Sequence, residues 1–234
     1  MTRLVFLTIA IVSALALRPD PVPAQQPYCK LALALGLDIS SSVNSHEYRL
    51  QLDGLAWALS RPEVIDAVLT PPGAFIEAAV YEWSGYPQQD VLIGWSRLDS
   101  QDAILAFANR LASHSRRHDE YATALGKAVE FGAKLLHAGP DCARKVLDVS
   151  GDGENNVGVG PDFFERQGLL DGLIVNGLVI LGAYPNPAIY YRQYVIRGPG
   201  AFLAQAMTFE DYRHVMAAKL LREIDTEMVL GYAP

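Results

Sequence analysis

The sequence predicts an α/β domain: a doubly wound, mostly parallel sheet with one antiparallel edge strand and helices on both faces. Three observations predict it. Short apolar, β-rich runs alternate with segments of helical period along the chain, the pattern that joins parallel strands through right-handed helical crossovers. Two of those runs are separated by little more than Gly85-Tyr86-Pro87, which implies a hairpin and hence one antiparallel edge. The 234 residues, 50% of them hydrophobic, supply one substantial core, and no low-complexity linker or internal repeat divides it.

Taken in order, Leu31 to Leu37 is an unbroken apolar run, as a strand covered on both faces requires. Tyr48, Leu52, Leu55, Ala56 and Leu59 recur at helical spacing behind Ser45, a suitable N-cap, and Pro62 marks the end of that helix or opens a short second one before Pro71-Pro72-Gly73. Ala74 to Trp83 and Val91 to Trp95 form the hairpin. A helix from about Asp99 to His114 leads to the polar segment Ser115 to Glu120, and Thr123 opens another that runs to about His137. Ala143 to Val149 reads as a strand, Gly151-Asp152-Gly153 as a turn and Pro161 to Leu170 as a helix. Ile174 to Ala183 is a buried strand. Tyr184 to Gly200, with three prolines, reads as irregular; Ala201 to Ala206 is a last strand and Phe209 to Met228 a closing amphipathic helix.

The first 24 residues have the layout of a secretory signal: Arg3, the apolar stretch Leu4 to Leu17, and Val22-Pro23-Ala24 before Gln25. The expected organisation is therefore a signal peptide at 1–24 and one domain at 25–234, exported to the periplasm or secreted, with no membrane insertion of the mature chain. Loss of Arg3, Arg18 and Asp20 moves the formal charge from -7 to about -8, which makes nucleic acid an unsuitable partner. In an oxidising compartment Cys29 and Cys142, the only cysteines, are a candidate disulfide. They precede Asp38 and Asp152 by similar distances along two expected parallel strands. Strands about 4.8 Å apart lie within reach of the roughly 4.4 to 6.8 Å Cα separation a disulfide needs.

The strand Leu31 to Leu37 ends in Asp38-Ile39-Ser40-Ser41-Ser42. A carboxylate and two hydroxyls at alternate positions of a turning loop can converge on one hard divalent cation, at the strand end where open α/β sheets place their sites. With the Thr123 loop and the strand end Val149-Ser150-Gly151-Asp152-Gly153, this combination resembles the von Willebrand factor A domain and its metal-ion-dependent adhesion site. The pattern of that family, DxSxS in one loop, threonine in a second and aspartate in a third, falls on Asp38, Ser40 and Ser42, then Thr123, then Asp152. Longer stretches, among them Val146 to Gly153, Val175-Asn176-Gly177-Leu178, Gly198 to Phe202 and Lys219 to Ile224, resemble the exported bacterial family called domain of unknown function 1194. The resemblance implies a non-catalytic module. Its divalent cation would be Mg²⁺ first, Mn²⁺ or Ca²⁺ otherwise, with an open position for a carboxylate from a partner protein.

Each residue has a plainer reading. Ser-rich turns and Thr123 are ordinary helix caps, Gly151-Asp152-Gly153 is a turn signal, and Glu154, Asn155 and Asn156 serve equally as rim or as solvated loop. A metal that only stabilises the loops fits the same residues. Gly151-Asp152-Gly153-Glu154-Asn155-Asn156 also looks like the metal motif of haloacid-dehalogenase-type phosphatases. There, however, a second acid two residues after the nucleophile shuttles the proton, and Ser40 occupies that place. Lys145, the available phosphate-binding lysine, lies at the wrong end of its strand. His46, His114, His118, His137 and His214 lack zinc spacing, and no GxSxG elbow occurs. Trp57, Trp83 and Trp95 read as core, and Tyr190, Tyr191 and Tyr194 as a candidate partner-contact loop.

Overall fold

The structure, a computed structural model, describes residues 26–116 and 121–225. The signal segment, His118 and the last residues of the expected closing helix lie outside them. Within them the elements run β1 (Tyr28–Asp38), α1 (Ser45–Leu59), α2 (Pro62–Leu69), β2 (Ala74–Trp83), β3 (Gln89–Leu98), α3 (Gln101–Ala112), α4 (Leu125–His137), β4 (Lys145–Gly151), α5 (Pro161–Arg166), β5 (Ile174–Ile180), α6 (Pro187–Tyr194), β6 (Leu203–Ala206) and α7 (Tyr212–Ile224). The six strands form one sheet in the order β3-β2-β1-β4-β5-β6. All pairings are parallel except β2 with the edge strand β3.

Side-chain size along β1 sorts the two faces. Leu31, Leu33, Leu35 and Leu37 point into a core shared with α1, α2, α3 and α7. Ala32 and Ala34 face the opposite core with α4 and α6. Gly36 on that side makes room for Tyr81, whose ring a Cβ there would meet at 2.5 Å and whose hydroxyl donates to the Ala128 carbonyl at 2.8 Å. Close approach of α4 also depends on Gly132, where a Cβ would overlap the Leu147 side chain and lie 2.6 Å from the Tyr81 oxygen.

Register places the site. Asp38 pairs with Trp83, and Leu37 with Ser150, so the carboxyl ends of β1 and β4 fall level. Chain direction across the sheet reverses between these two strands: β1 is followed by β2 and β3 on one side, and the chain then crosses to β4 on the other. Loops leaving adjacent strands in opposite directions open a crevice there. At the other end of the same two strands Cys29 and Cys142 form a disulfide, with Cα atoms 4.7 Å apart.

Several boundaries differ from the sequence reading, each for a local reason. The cap of α1 is Asn44, not Ser45: its side chain accepts from the His46 and Glu47 backbone N–H groups while Glu47 accepts from the Asn44 N–H, a complete capping box. Helix α5 stops at Arg166 because Gly168 adopts a φ of 73° in the turn that follows. The proline-rich segment that reads as irregular contains α6, opened by Pro187 at its first turn and capped by Asn186 Oδ1, which accepts from Ala188 N at 2.9 Å.

Candidate metal centre

Three loops meet at the carboxyl ends of β1 and β4. In the first, Asp38 and Ser40 are fully buried and Ser42 is exposed. Asp38 Oδ1 accepts from the Ser40 backbone N–H at 2.7 Å, which folds the loop back on the strand end. Ser40 and Ser42 hydroxyls lie 3.2 Å apart, and Ser42 Oγ donates to Asp152 Oδ1 at 2.8 Å. Four of the five expected donor residues thus form one connected row. Thr123 stands beside it, its side chain 3.8 Å from where a Cβ on Gly153 would be.

The scaffold that holds these loops is mostly long-range. Arg116 donates to the carbonyls of Val43 at 2.6 Å, Ile39 at 2.7 Å and Ser40 at 3.1 Å, pinning the DxSxS loop from outside. Gln51 Nε2 donates to the Asp38 carbonyl at 3.0 Å from α1. Asn156 clasps the second loop: its Oδ1 accepts from Thr123 N at 2.8 Å and its N–H donates to the Thr123 carbonyl at 2.9 Å. Asn155 Oδ1 accepts from Gly126 N at 3.0 Å, satisfying an N-terminal amide of α4, whose own N-cap residue Ala124 has no side chain to do so. Asn155 and Asn156 are therefore clamps between loops rather than freely solvated side chains.

Beneath the row the interior is polar and under-satisfied. Asp38 Oδ2, Trp83 Nε1, Ser84 Oγ and Tyr191 OH are buried with no hydrogen-bond partner among the described residues. Gly151 sits among them: a Cβ there would lie 2.5 Å from Tyr191 OH, 2.9 Å from Asp38 Oδ2 and 3.2 Å from the Trp83 ring. Tyr191, read from sequence as part of a contact loop, is instead fully buried on α6 under the site. Its neighbour Tyr190 stacks obliquely on Tyr194, ring centroids 4.7 Å apart.

Electrostatics follow from that burial. Removal from water pushes the Asp38 carboxyl up to about 8, with the nearby Asp152 charge adding to the effect. Burial raises Asp152 as well, and Glu47 repels it further. Two carboxylates held together, one of them fully buried, resist ionising without a cation between them, and the inward oxygen of Asp38 has no hydrogen-bond partner among the described residues. The donors are two carboxylates and three hydroxyls, all oxygen, the chemistry a hard divalent cation selects. Among the described residues no three His, Cys, Asp or Glu side chains come together as a metal cluster, so an ion here would depend on the hydroxyls. The residues fit such a group.

Neither His137 nor His214 takes part. His137 bonds through Nε2 to the Leu169 carbonyl at 2.8 Å, and His214 packs edge-on against Trp57. Trp83 is buried, and Trp57 and Trp95 pack partly buried against the cores. Lys145, half-buried at the start of β4, donates to the Leu136 carbonyl at 3.1 Å, at the far end of the strand from Asp152.

Comparison with solved structures gives the fold its place. Proximal thread matrix protein 1 from the mussel byssus aligns with a TM-score of 0.63 at 14% identity, over 85% of this chain and 49% of that one. The same protein with a zinc-occupied MIDAS motif gives 0.60 at 14% identity, over 85% and 48%. A von Willebrand factor type A structure from Catenulispora acidiphila gives 0.58 at 14% identity, over 83% and 43%. This chain spans about half the length of the first of these structures. At such identities the likeness shows the fold: a von Willebrand factor A-like sheet with one antiparallel edge and helices on both faces. No curated protein matches the sequence. A family profile described as "Protein of unknown function (DUF1194)" matches residues 28–228, and the chain belongs to that family.

Proposed function

We propose that this protein is an exported, non-catalytic binding module whose cation site recognises an acidic group on a partner protein. Asp38, Ser40, Ser42, Thr123 and Asp152 would hold a divalent cation, Mg²⁺ by preference because it accepts a sparse set of protein ligands and keeps waters. One observation carries the reading: the row Ser40–Ser42–Asp152 lies over the buried Asp38, whose inward oxygen has no hydrogen-bond partner among the described residues. When bound, the ion supplies an electrophilic position. With only two anionic donors it keeps affinity for a further carboxylate, and the hydroxyls orient it without cancelling its charge. The zinc-occupied motif of the byssus matrix protein supports this choice of site by analogy of fold. Export is supported by the Cys29–Cys142 disulfide and by the signal-like 1–24 segment. No helix among the described residues is long and apolar enough to cross a membrane. A phosphatase reading lacks its chemistry, since Ser40 stands where a proton-shuttling acid is needed and Lys145 is remote.

The test is calorimetric titration of the mature protein with Mg²⁺ and Mn²⁺ beside Asp38→Ala and Thr123→Ala. One saturable site is expected, lost in Asp38→Ala and weakened about 10- to 100-fold in Thr123→Ala, the scale of losing one supporting metal contact. Absence of binding by the native protein, or binding indifferent to both substitutions, would sink the site.

A further inference from the structure

Eight large apolar side chains are exposed among the described residues, and all but Val91 lie where the strands end, on the side of the candidate ion site. Scattered exposed apolar residues are normal, but a set gathered on one edge marks a contact surface. Three of them form one patch. Tyr86, Tyr121 and Val159 are 55%, 37% and 41% exposed. A Cβ at Gly85 would lie 2.9 Å from the Cβ of Tyr121, and one at Gly158 would lie 3.2 Å from the Tyr86 ring. The patch borders the candidate donors directly: the Tyr121 carbonyl accepts from Ser41 N at 2.9 Å, and Thr123 follows two residues later.

On the other flank the described carboxylates outnumber the cations, although the Arg116 guanidinium sits there against the Val43, Ile39 and Ser40 carbonyls. Glu47, whose Oε2 accepts from Asn44 N just past Ser42, and Glu154, two residues after Asp152, add carboxylates to those of Asp38 and Asp152. A divalent ion and Arg116 together balance at most three of these four. A cation over the patch, Lys127, lies 4.8 Å from the Tyr86 ring centroid and is engaged by Glu130. A ligand with clustered acids would therefore meet repulsion around the one position that attracts it, at separations where charges still interact.

We propose that the surface reads a single isolated carboxylate set within an apolar stretch of a partner protein: Tyr86, Tyr121 and Val159 take the flanking apolar side chains, and Glu47 and Glu154 turn acidic clusters away. This rests on the ion-site reading and adds selectivity to it. Aromatic side chains suit the task because they offer rigid, amphipathic contact area at low entropic cost.

The probe is a set of immobilised synthetic peptides with one central Asp or Glu, flanked by Leu and Tyr, by Ser and Gly, or by further Asp and Glu, presented to the mature protein in Mg²⁺ or Mn²⁺. Peptides with apolar flanks should bind about tenfold tighter than those with Ser and Gly flanks, roughly 1.4 kcal/mol or one well-made apolar contact, and those with acidic flanks should be weakest. Tyr86→Ser alone, and with Tyr121→Ser, should erase the preference while calorimetric ion affinity stays unchanged. Tyr86 is more than half exposed, so the single variant keeps its fold. With the ion bound, binding indifferent to flanks, strongest for acidic flanks, or absent for every peptide overturns the proposal while leaving the ion site standing. Failure to bind the ion overturns both.

Discussion

Replacing Lys219 with methionine takes the one ammonium out of a buried cluster that contains two acids. Lys219, Asp148 and Glu223 have side chains 0–1% exposed. Lys219 Nζ lies 2.6 Å from Asp148 Oδ2 and also bonds Glu223 Oε1, which accepts from Asn176 Nδ2 at 2.8 Å. Asn176 Oδ1 in turn accepts from Phe202 N at 2.9 Å, so the cluster ties α7 to β4, β5 and the approach to β6. With two carboxyls and one cation, full ionisation would leave a net negative charge in the core. Burial holds the Asp148 carboxyl up at about 7 against the pull of Lys219, with Glu223 pushing the same way as burial. Because the folded value is raised above the ordinary value, folding retains a proton that the unfolded chain releases. Stability is therefore fully present below about pH 4 and is lost as pH rises towards 7. Every tenfold gain in proton affinity on folding is worth about 1.36 kcal/mol, which bounds this contribution at about 4 kcal/mol. Lys219→Met should cost about 3–5 kcal/mol at pH 8, where the Asp148 carboxylate is left buried without its cation, and clearly less at pH 5, where Asp148 holds a proton. Asp148→Asn should flatten the fall in stability between pH 5 and 8 relative to the parent. Asp38 is raised in the same direction, so only the difference between parent and variant belongs to Asp148. Urea unfolding of the oxidised protein at both pH values, with chelator present, measures each. A Lys219→Met cost below about 1 kcal/mol, or one identical at the two pH values, would refute the reasoning.

Two further perturbations probe the site floor and the staple at the other end of the strands. Gly151→Ala puts a methyl group into space bounded by Tyr191 OH, Asp38 Oδ2 and the Trp83 ring, and overpacking of this kind should cost about 1–3 kcal/mol; an unchanged thermal midpoint would show that Tyr191 and Trp83 yield freely. Replacing Cys29 and Cys142 together with alanine opens a link between residues 113 apart in sequence and should lower stability by about 2–4 kcal/mol in urea, with no change in calorimetric ion affinity because the bond lies at the opposite ends of β1 and β4. Loss of ion binding in that variant would contradict the separation of the two strand ends.

Much of this arrangement was legible because it is local. The Leu and Ala run of β1 marks a strand covered on both faces, and Gly85-Tyr86-Pro87 marks the turn before the antiparallel edge. Asp38, Ser40 and Ser42 sit within five residues, so their convergence needs only one turning loop. The clamps were illegible for the opposite reason. Arg116 reaches carbonyls more than 70 residues away in sequence, and nothing in Ser115-Arg116 announces it. Asn155 and Asn156 read equally as solvated loop because their partners, Gly126 and Thr123, belong to a segment that only the fold brings near. Helix α6 did carry a signal that its prolines masked: Asn186 before Pro187 is a capped helix start, and Ala188, Tyr191 and Val195 recur at helical spacing on its buried side.

The position of Tyr191 gives that missed helix its importance. A carboxylate such as Asp38, fully enclosed and raised to about 8, is an expensive thing for a fold to keep unless something charged is meant to meet it. Here the expense is local and one-sided. Trp83 and Tyr191 lie beside Asp38 with polar atoms that have no partner among the described residues, whereas the core on the far side of the sheet answers Asp148 and Glu223 with Lys219 and Asn176. These two buried acidic sites on one sheet therefore solve the same problem differently. One carries its cation as a lysine within the chain. The other, at the crevice where β1 and β4 part, would on the proposed reading take its cation from solution with two acids and three hydroxyls, and because hydroxyls bind without neutralising, that cation would retain charge for a partner's carboxylate.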